Sequence, residues 1–250
     1  CGSVSNTISG LARLGVDVGF IGKIGNDSIG DFFKVDSFEN GVLTYLLGSQ
    51  LPSGRCHVLI SPDSERTMCT YLGAASDLRA TDLHERMFSY FDVLHIECYL
   101  VENRELMLRT AEMAKAANMK LSLDLASYNV VESNLEFLRE FVKNYVDIVF
   151  ANAEEAFAFT GKQDKEAVAE IASMCDIAAV KVGKRGSFIQ SGDEFHTIGA
   201  AKVNCIDSTG AGDLYAAGFL YGYARDLSLD KCAKIGTICA GNVIQTIGAK

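Results

Sequence analysis

Residues 204–222 read NCIDSTGAGDLYAAGFLYG, and three kinds of local structure meet in them. The apolar run from Ala201 to Ile206 predicts a strand, Asp207 to Asp213 form a glycine loop, and the residues that follow predict a helix. The small side chains of Ala216, Ala217 and Gly218 let that helix pack closely. A strand feeding a glycine loop at a helix N-terminus is an anion site. The first-turn amides lack intrahelical acceptors there, and the helix dipole is positive. Gly210 and Gly212 carry no Cβ, so an anion can approach the backbone. Two familiar phosphate motifs are missing: G-x-G-x-x-G would need glycine where Tyr215 stands, and no Gly-Lys-Ser/Thr occurs. The loop instead places a carboxylate, Asp213, in the first helical turn. Beside an anion hole a carboxylate repels stored phosphate, but it suits a base that takes the proton of a hydroxyl attacking phosphorus. The plainer alternative is that Asp213 is only a first-turn helix residue and Asp207 only a turn residue.

Outward from this loop, strand-like and helix-like segments alternate. Strands are expected at Asp17–Ile24, Asp92–Cys98, Lys120–Leu125, Asp147–Phe150 and Ile177–Val182. Helices are expected at Ser28–Asn40, Asn103–Asn118, Val131–Tyr145, Ala153–Thr160, Asp164–Met174 and Asp230–Thr246. Short apolar runs alternating with amphipathic helices indicate a mostly parallel sheet covered on both faces. Two hairpins break the alternation. One spans about 54–72, where RCHVLI and RTMCTYL flank a turn at Ser61–Glu65; the other spans Gly186–Thr197. No linker or repeat divides the chain, so residues 1–250 read as one α/β domain with a small β lid.

Composition bounds the partners. The 250 residues include 23 Lys+Arg against 32 Asp+Glu, a net charge of −9 that argues against nucleic acid. Hydrophobic residues make up 48%, enough for a core without disulfide or metal staples. The eight cysteines form no C-x-x-C pair, which suits reduced thiols and a cytoplasmic setting. Cys98, Cys205 and Cys239 lie in apolar stretches, as buried thiols do. No run of 18 apolar residues is present, so no transmembrane helix is expected.

DSTGAGD followed by a small-residue helix resembles the C-terminal signature of the ribokinase-like (PfkB) carbohydrate and nucleoside kinases. Other segments resemble that family in its own order. Cys1-Gly2-Ser3-Val4-Ser5-Asn6 resembles Gly-Gly-x-x-x-Asn, and Ile21 to Gly30 resembles V-G-x-x-G-x-D-x-x-G. Asn152-Ala153-Glu154-Glu155 matches N-x-x-E, and Lys181 to Gly186 resembles T-x-G-x-x-G. The resemblance implies a ribokinase-like three-layer α/β/α sandwich with a β lid, and transfer of the γ-phosphoryl of ATP to an alcohol of a sugar or nucleoside. It makes Asp213 the catalytic base and the amides of Gly210, Ala211 and Gly212 the anion hole. Gly2 and Asn6 match substrate-contacting positions. Asn152 and Glu155 match the motif that organises Mg²⁺ and phosphates, with Glu155 acting on the metal through water. Lys181, Gly183 and Gly186 match the nucleotide loop, and Asn242 is the candidate polar contact to adenine. A monovalent cation is compatible with the same resemblance.

Departures from the pattern carry information too. Cys1 replaces the first glycine of the pair. Lys181 replaces the usual Thr, and its charge either meets ATP phosphates or points to solvent. The family's N-terminal strand, with an early Asp that grips substrate hydroxyls, is expected ahead of residue 1. Plainer readings stand beside several assignments: Asn6 as a helix N-cap, Glu155 as a dipole-complementing residue, His95 as a hydrogen-bonded core histidine, and Lys184 and Arg185 as solvated loop charges. A non-catalytic nucleotide- or sugar-binding relative is the alternative function, and a Rossmann oxidoreductase is disfavoured by the missing G-x-G-x-x-G. The run 65–74 looks most like adenosine-kinase-like and sugar-kinase members, which suggests a nucleoside or ribose-type acceptor. Lid strands either pair across a homodimer or have their edges covered within one chain.

Overall fold

In the computed structural model, which describes residues 2–60 and 66–249, a six-stranded sheet carries the molecule. Strands β1 (Val18–Gly25) and β2 (Val42–Ser49) form a separate parallel pair, with helix α1 (Ser3–Arg13) before them and α2 (Ser28–Glu39) between them. Strands β3 (Arg55–Ile60) and β4 (Arg66–Tyr71) form the antiparallel hairpin expected from sequence. The expected turn at Ser61–Glu65 lies outside the described residues. The large sheet runs through β5 (Val93–Glu97), β6 (Lys120–Asp124), β7 (Ile148–Asn152), β8 (Ile177–Lys181), β9 (Ser187–Ser191) and β10 (Glu194–Ile198) in spatial sequence. The first four are parallel, and β9 and β10 add antiparallel.

Side-chain alternation splits the core into two layers. Ile96, Leu121, Leu123, Val149, Ala151, Ala178 and Val180 face one way. They pack under α3 (Arg104–Ala116), α5 (Leu135–Tyr145), α6 (Ala153–Thr160) and α7 (Asp164–Ala172). Ile148, Phe150, Ile177, Ala179 and Ile189 face the other way, under α1, α8 (Ala211–Tyr223) and α9 (Leu229–Val243). Phe150 meets Phe219 of α8 edge to face, with ring centroids 5.2 Å apart. Close packing of α8 on α9 depends on Gly218, where a Cβ would come within 2.8 Å of the Gly236 backbone. The result is the expected three-layer α/β/α sandwich.

Several local expectations differ. Residues 42–49, absent from the expected strands, form β2, because β1 offers them a parallel edge in the register Val18↔Val42. The helix expected at Val131–Tyr145 breaks at Asn134 into α4 (Tyr128–Ser133) and α5, with Asn134 extended in φ at −132°. Ala201–Ile206 is not a strand. That segment reaches no sheet edge and is instead tied to the end of α9, where Ile206 N–H donates to the Ile244 carbonyl at 2.7 Å. Cys205 is consequently exposed rather than buried, while Cys98 is buried and Cys239 intermediate. No disulfide forms among the described cysteines. No helix among the described residues is long and apolar enough to cross a membrane.

Candidate active site

Each of the four parallel strands of the large sheet ends on a polar or charged residue: Glu97, Asp124, Asn152 and Lys181. The register pairs Glu97 with Asp124 and Asn152 with Lys181. Phe150 faces α8 opposite Asp124, and Asn152 is two residues further along β7. Alternation therefore points all four toward the N-terminal end of α8. In open α/β sheets this carboxyl edge is where ligands bind.

The loop before α8 is built by Asp207. Its carboxylate accepts from Thr209 N–H at 2.9 Å, from Thr209 Oγ1 at 2.7 Å and from Gly248 N–H at 2.9 Å. Asp207 is thus the turn-forming residue, and it ties the loop to the end of the described chain. Gly210 follows at φ +78°, a left-handed conformation suited to glycine, and no side chain caps α8. Ala211 N–H is spent on the Ser208 carbonyl at 3.2 Å. Among the described residues the amides of Gly210, Gly212 and Asp213 have no acceptor, so they, and not that of Ala211, are the free donors of the candidate anion hole. The missing Cβ at Gly212 serves the protein itself, since a Cβ there would sit 3.2 Å from Lys181 Nζ.

Asp213 is held from across the molecule. Ser3 Oγ donates to its Oδ1 at 2.5 Å, Asn6 Nδ2 to its Oδ2 at 2.7 Å, and Thr7 Oγ1 to its carbonyl at 3.2 Å. Burial pushes its pKa above the ordinary carboxylate value, while the Ser3 and Asn6 bonds pull it down. Asn6 is therefore not the N-cap of α1; Gly2 occupies that place in an extended conformation. A Cβ on Gly2 would meet nothing within 4 Å, so the described contacts do not themselves require glycine there. Cys1 lies outside the described residues.

Asn152 and Glu155 form a reciprocal capping box on α6: Asn152 Oδ1 accepts Glu155 N–H at 2.9 Å, and Glu155 Oε2 accepts Asn152 N–H at 2.7 Å. Asn152 Nδ2 also donates to Glu155 Oε1 at 2.7 Å. Glu155 is only 4% exposed, and burial pushes its pKa to about 7 against the opposing charge of Lys181. Among the described residues no group of three His, Cys, Asp or Glu side chains could hold a metal by itself.

Lys181 neither faces solvent nor stands alone: its Nζ donates to Asp124 Oδ2 at 2.9 Å, and its side chain is 16% exposed. Burial disfavours its charge, yet Asp124 and Glu155 carry its pKa above the usual lysine value. Gly183 and Gly186 shape the β8–β9 turn at φ +58° and +98°, and a Cβ on Gly186 would collide with the Ile198 carbonyl. Arg185 in that turn pairs with Asp164 through two bonds of 2.6 and 2.7 Å, and Lys184 is exposed. Asn242 is exposed on α9, one helical turn beyond the exposed Ile238. Near that end of α9 the exposed Val203, Ile206 and Ile247 add apolar surface.

Sequence reasoning passed over Glu97, Asp124 and Ser3. Glu97 is 9% exposed, and burial pushes its pKa to about 8, helped by Asp124 and Asp213. The available signal was a lone acid at the carboxyl end of an apolar run, in DVLHIEC and again in KLSLDL. His95 is half-buried, with Nδ1 3.0 Å from Ser122 Oγ, and its Nε2 atom is buried and has no partner among the described residues, so the expected hydrogen-bonded core histidine is satisfied on one nitrogen only. Burial holds its pKa near 4, so the ring is neutral.

The sequence profile described as the pfkB family of carbohydrate kinases matches residues 1–250. A solved structure of a probable sugar kinase from Rhizobium etli superposes with a TM-score of 0.94 at 35% identity, covering 100% of this chain and 78% of that one. Adenosine kinase from Sinorhizobium meliloti superposes with a TM-score of 0.93 at 34% identity, covering 100% and 79%. An uncharacterized sugar kinase from Archaeoglobus fulgidus is 26% identical over 243 residues, 96% of each chain.

Proposed function

Because this chain belongs to the pfkB family of carbohydrate kinases, and is thereby a phosphotransferase with a hydroxyl acceptor, we propose that it moves the γ-phosphoryl of ATP to a hydroxyl of a nucleoside or ribose-type sugar. The observation that carries this reading is Asp213: a carboxylate oriented by Ser3 and Asn6, one residue beyond an uncapped helix amide. The acceptor hydroxyl gives its proton to Asp213 as its oxygen attacks phosphorus. The new O–P bond forms as the bond to ADP breaks, and the amides of Gly212 and Asp213 receive the charge on the transferring group.

The residues present fit ATP. Free amides suit its phosphates, and Val203, Ile206, Ile238 and Ile247 offer apolar surface to a base, with Asn242 beside them as a polar contact. Asn152 and Glu155 would hold a divalent cation such as Mg²⁺ beside the phosphates, and when bound it would neutralise charge that repels the acceptor. Glu155 would reach such an ion through water, since both its oxygens already accept from Asn152. A nucleoside or ribose-type acceptor is supported by the likeness to the Sinorhizobium adenosine kinase and to the Rhizobium sugar kinase. The β3–β4 hairpin, about 54–72, is read as the lid of one ribokinase-like domain.

The test is ADP release with ATP and Mg²⁺ against adenosine, other nucleosides, ribose and fructose. One acceptor should raise turnover well above the acceptor-free rate. No stimulation by any of them would defeat the acceptor assignment.

A further inference from the structure

We infer that Lys181 is a catalytic residue of this site, its ammonium making direct contact with the phosphoryl group received at the Gly212 and Asp213 amides. This rests on the kinase reading and adds to it a residue that the anion hole alone does not require.

Strand β8 reads IAAVK, and alternation carries its last side chain onto the face buried under α8. A buried lysine costs stability unless it is paired. Asp124 provides the pairing, but it takes one of three ammonium donors, and no second hydrogen bond from Nζ exists among the described residues. Two donors on a largely enclosed cation, its side chain 16% exposed, are left for another acceptor.

The direction of approach indicates what that is. The ammonium fills the place of a side chain at Gly212, 3.2 Å from where a Cβ would be. It therefore lies against the first turn of α8, beside the free amides of Gly212 and Asp213. A cation at the positive end of a helix has the wrong sign for stability. Asp124, Glu155 and Asp213 surround it and keep it charged, so the site holds a positive group where helix physics alone would place a negative one. An anion bound at those amides removes the conflict and supplies acceptors for the unused N–H groups. The transferring phosphoryl spreads its charge over three oxygens, and an ammonium pressed against Gly212 is placed to meet one of them. Lys181 moves no proton: the acceptor's proton goes to Asp213, the acceptor oxygen bonds phosphorus, and ADP departs with the electrons of the broken O–P bond.

The competing account is that Lys181 only neutralises Asp124. Two variants separate them: Lys181→Met, which strands a buried carboxylate and can fail to fold, and Lys181→Met/Asp124→Asn, which removes both charges together. Turnover is measured beside calorimetric binding of ADP and of AMP-PNP, each with Mg²⁺. The double variant should keep its fold, lose about 10²–10³-fold in kcat, and lose at least about tenfold in AMP-PNP affinity while ADP affinity changes less than about threefold. Recovery of kcat to near wild type in the double variant would show a purely structural lysine, and so would unchanged preference between AMP-PNP and ADP. A wild-type protein without acceptor-stimulated turnover would count against the kinase reading, and the two binding constants would still decide the lysine.

Discussion

Replacing Asp213 with asparagine tests the proposed base with little change in shape. Two donors converge on that carboxylate, Ser3 at 2.5 Å and Asn6 at 2.7 Å, one on each oxygen. An asparagine offers one acceptor oxygen, so one of the two bonds is lost, at about 1–3 kcal/mol. Against that, the buried negative charge disappears. Burial raises the folded-state pKa of Asp213, so ionising it weakens the fold as pH rises from the ordinary carboxylate range through that raised value. At neutral pH the two effects oppose each other, and Asp213→Asn should melt within a few degrees of wild type. Its stability relative to wild type should improve from pH 4 to pH 7. Turnover behaves differently. Loss of a general base costs about 10²–10⁴-fold, or about 2.7–5.4 kcal/mol of barrier. The assay is acceptor-dependent ADP release, with nucleotide affinity and thermal melting on the same preparations. Turnover within about threefold of wild type would make Asp213 a helix residue only and refute the mechanism.

Glu155→Gln keeps the capping-box bond to Asn152 N–H and, at pH 5 where the wild-type carboxyl holds a proton and likewise has one oxygen as a hydroxyl, should cost no more than about 1 kcal/mol. Wild-type Glu155 keeps its proton to about pH 7 when folded and loses it near 4.5 when unfolded, so wild type should lose ground to this variant between those values, as urea unfolding at pH 5 and 8 would reveal. If Glu155 also serves the metal through water, the variant's turnover falls and extra Mg²⁺ partly restores it; identical Mg²⁺ titrations would remove it from the site. Glu97→Gln should similarly flatten the decline of stability from pH 4.5 to 8, because folded Glu97 keeps its proton to about pH 8; parallel curves would contradict a buried neutral carboxyl. Gly186→Ala should lower the melting temperature sharply, because its Cβ would strike the Ile198 carbonyl at a φ of +98°, and an unshifted melt would show that the turn relaxes freely.

The architecture was largely legible because its signals are local. Apolar runs such as IAAVKV and KLSLDL, separated by amphipathic helices, can be buried on both faces only in a parallel sheet. Asn152 and Glu155 sit three residues apart, and their capping geometry needs nothing beyond one helical turn. The glycine loop and Asp213 at the start of α8 are likewise contained in seven residues.

What the chain could not show by itself depends on segments far apart in it. Ser3 and Asn6 meet Asp213 across more than 200 residues, and only the packing of α1 against α8 makes them its hydrogen-bond donors. The charge of Lys181 stayed open between ATP phosphates and solvent until the β7–β8 register and the space at Gly212 turned it inward to Asp124. Ala201–Ile206 has the composition of a strand but no edge to pair with, whereas Val42–Ser49, outside the expected strands, has a waiting edge on β1. Composition and spacing set which faces are apolar and where turns fall, because those follow from covalent periodicity. Strand pairing and the meeting of charges at the sheet's carboxyl edge follow from register and layer packing, which exist only once the chain has folded.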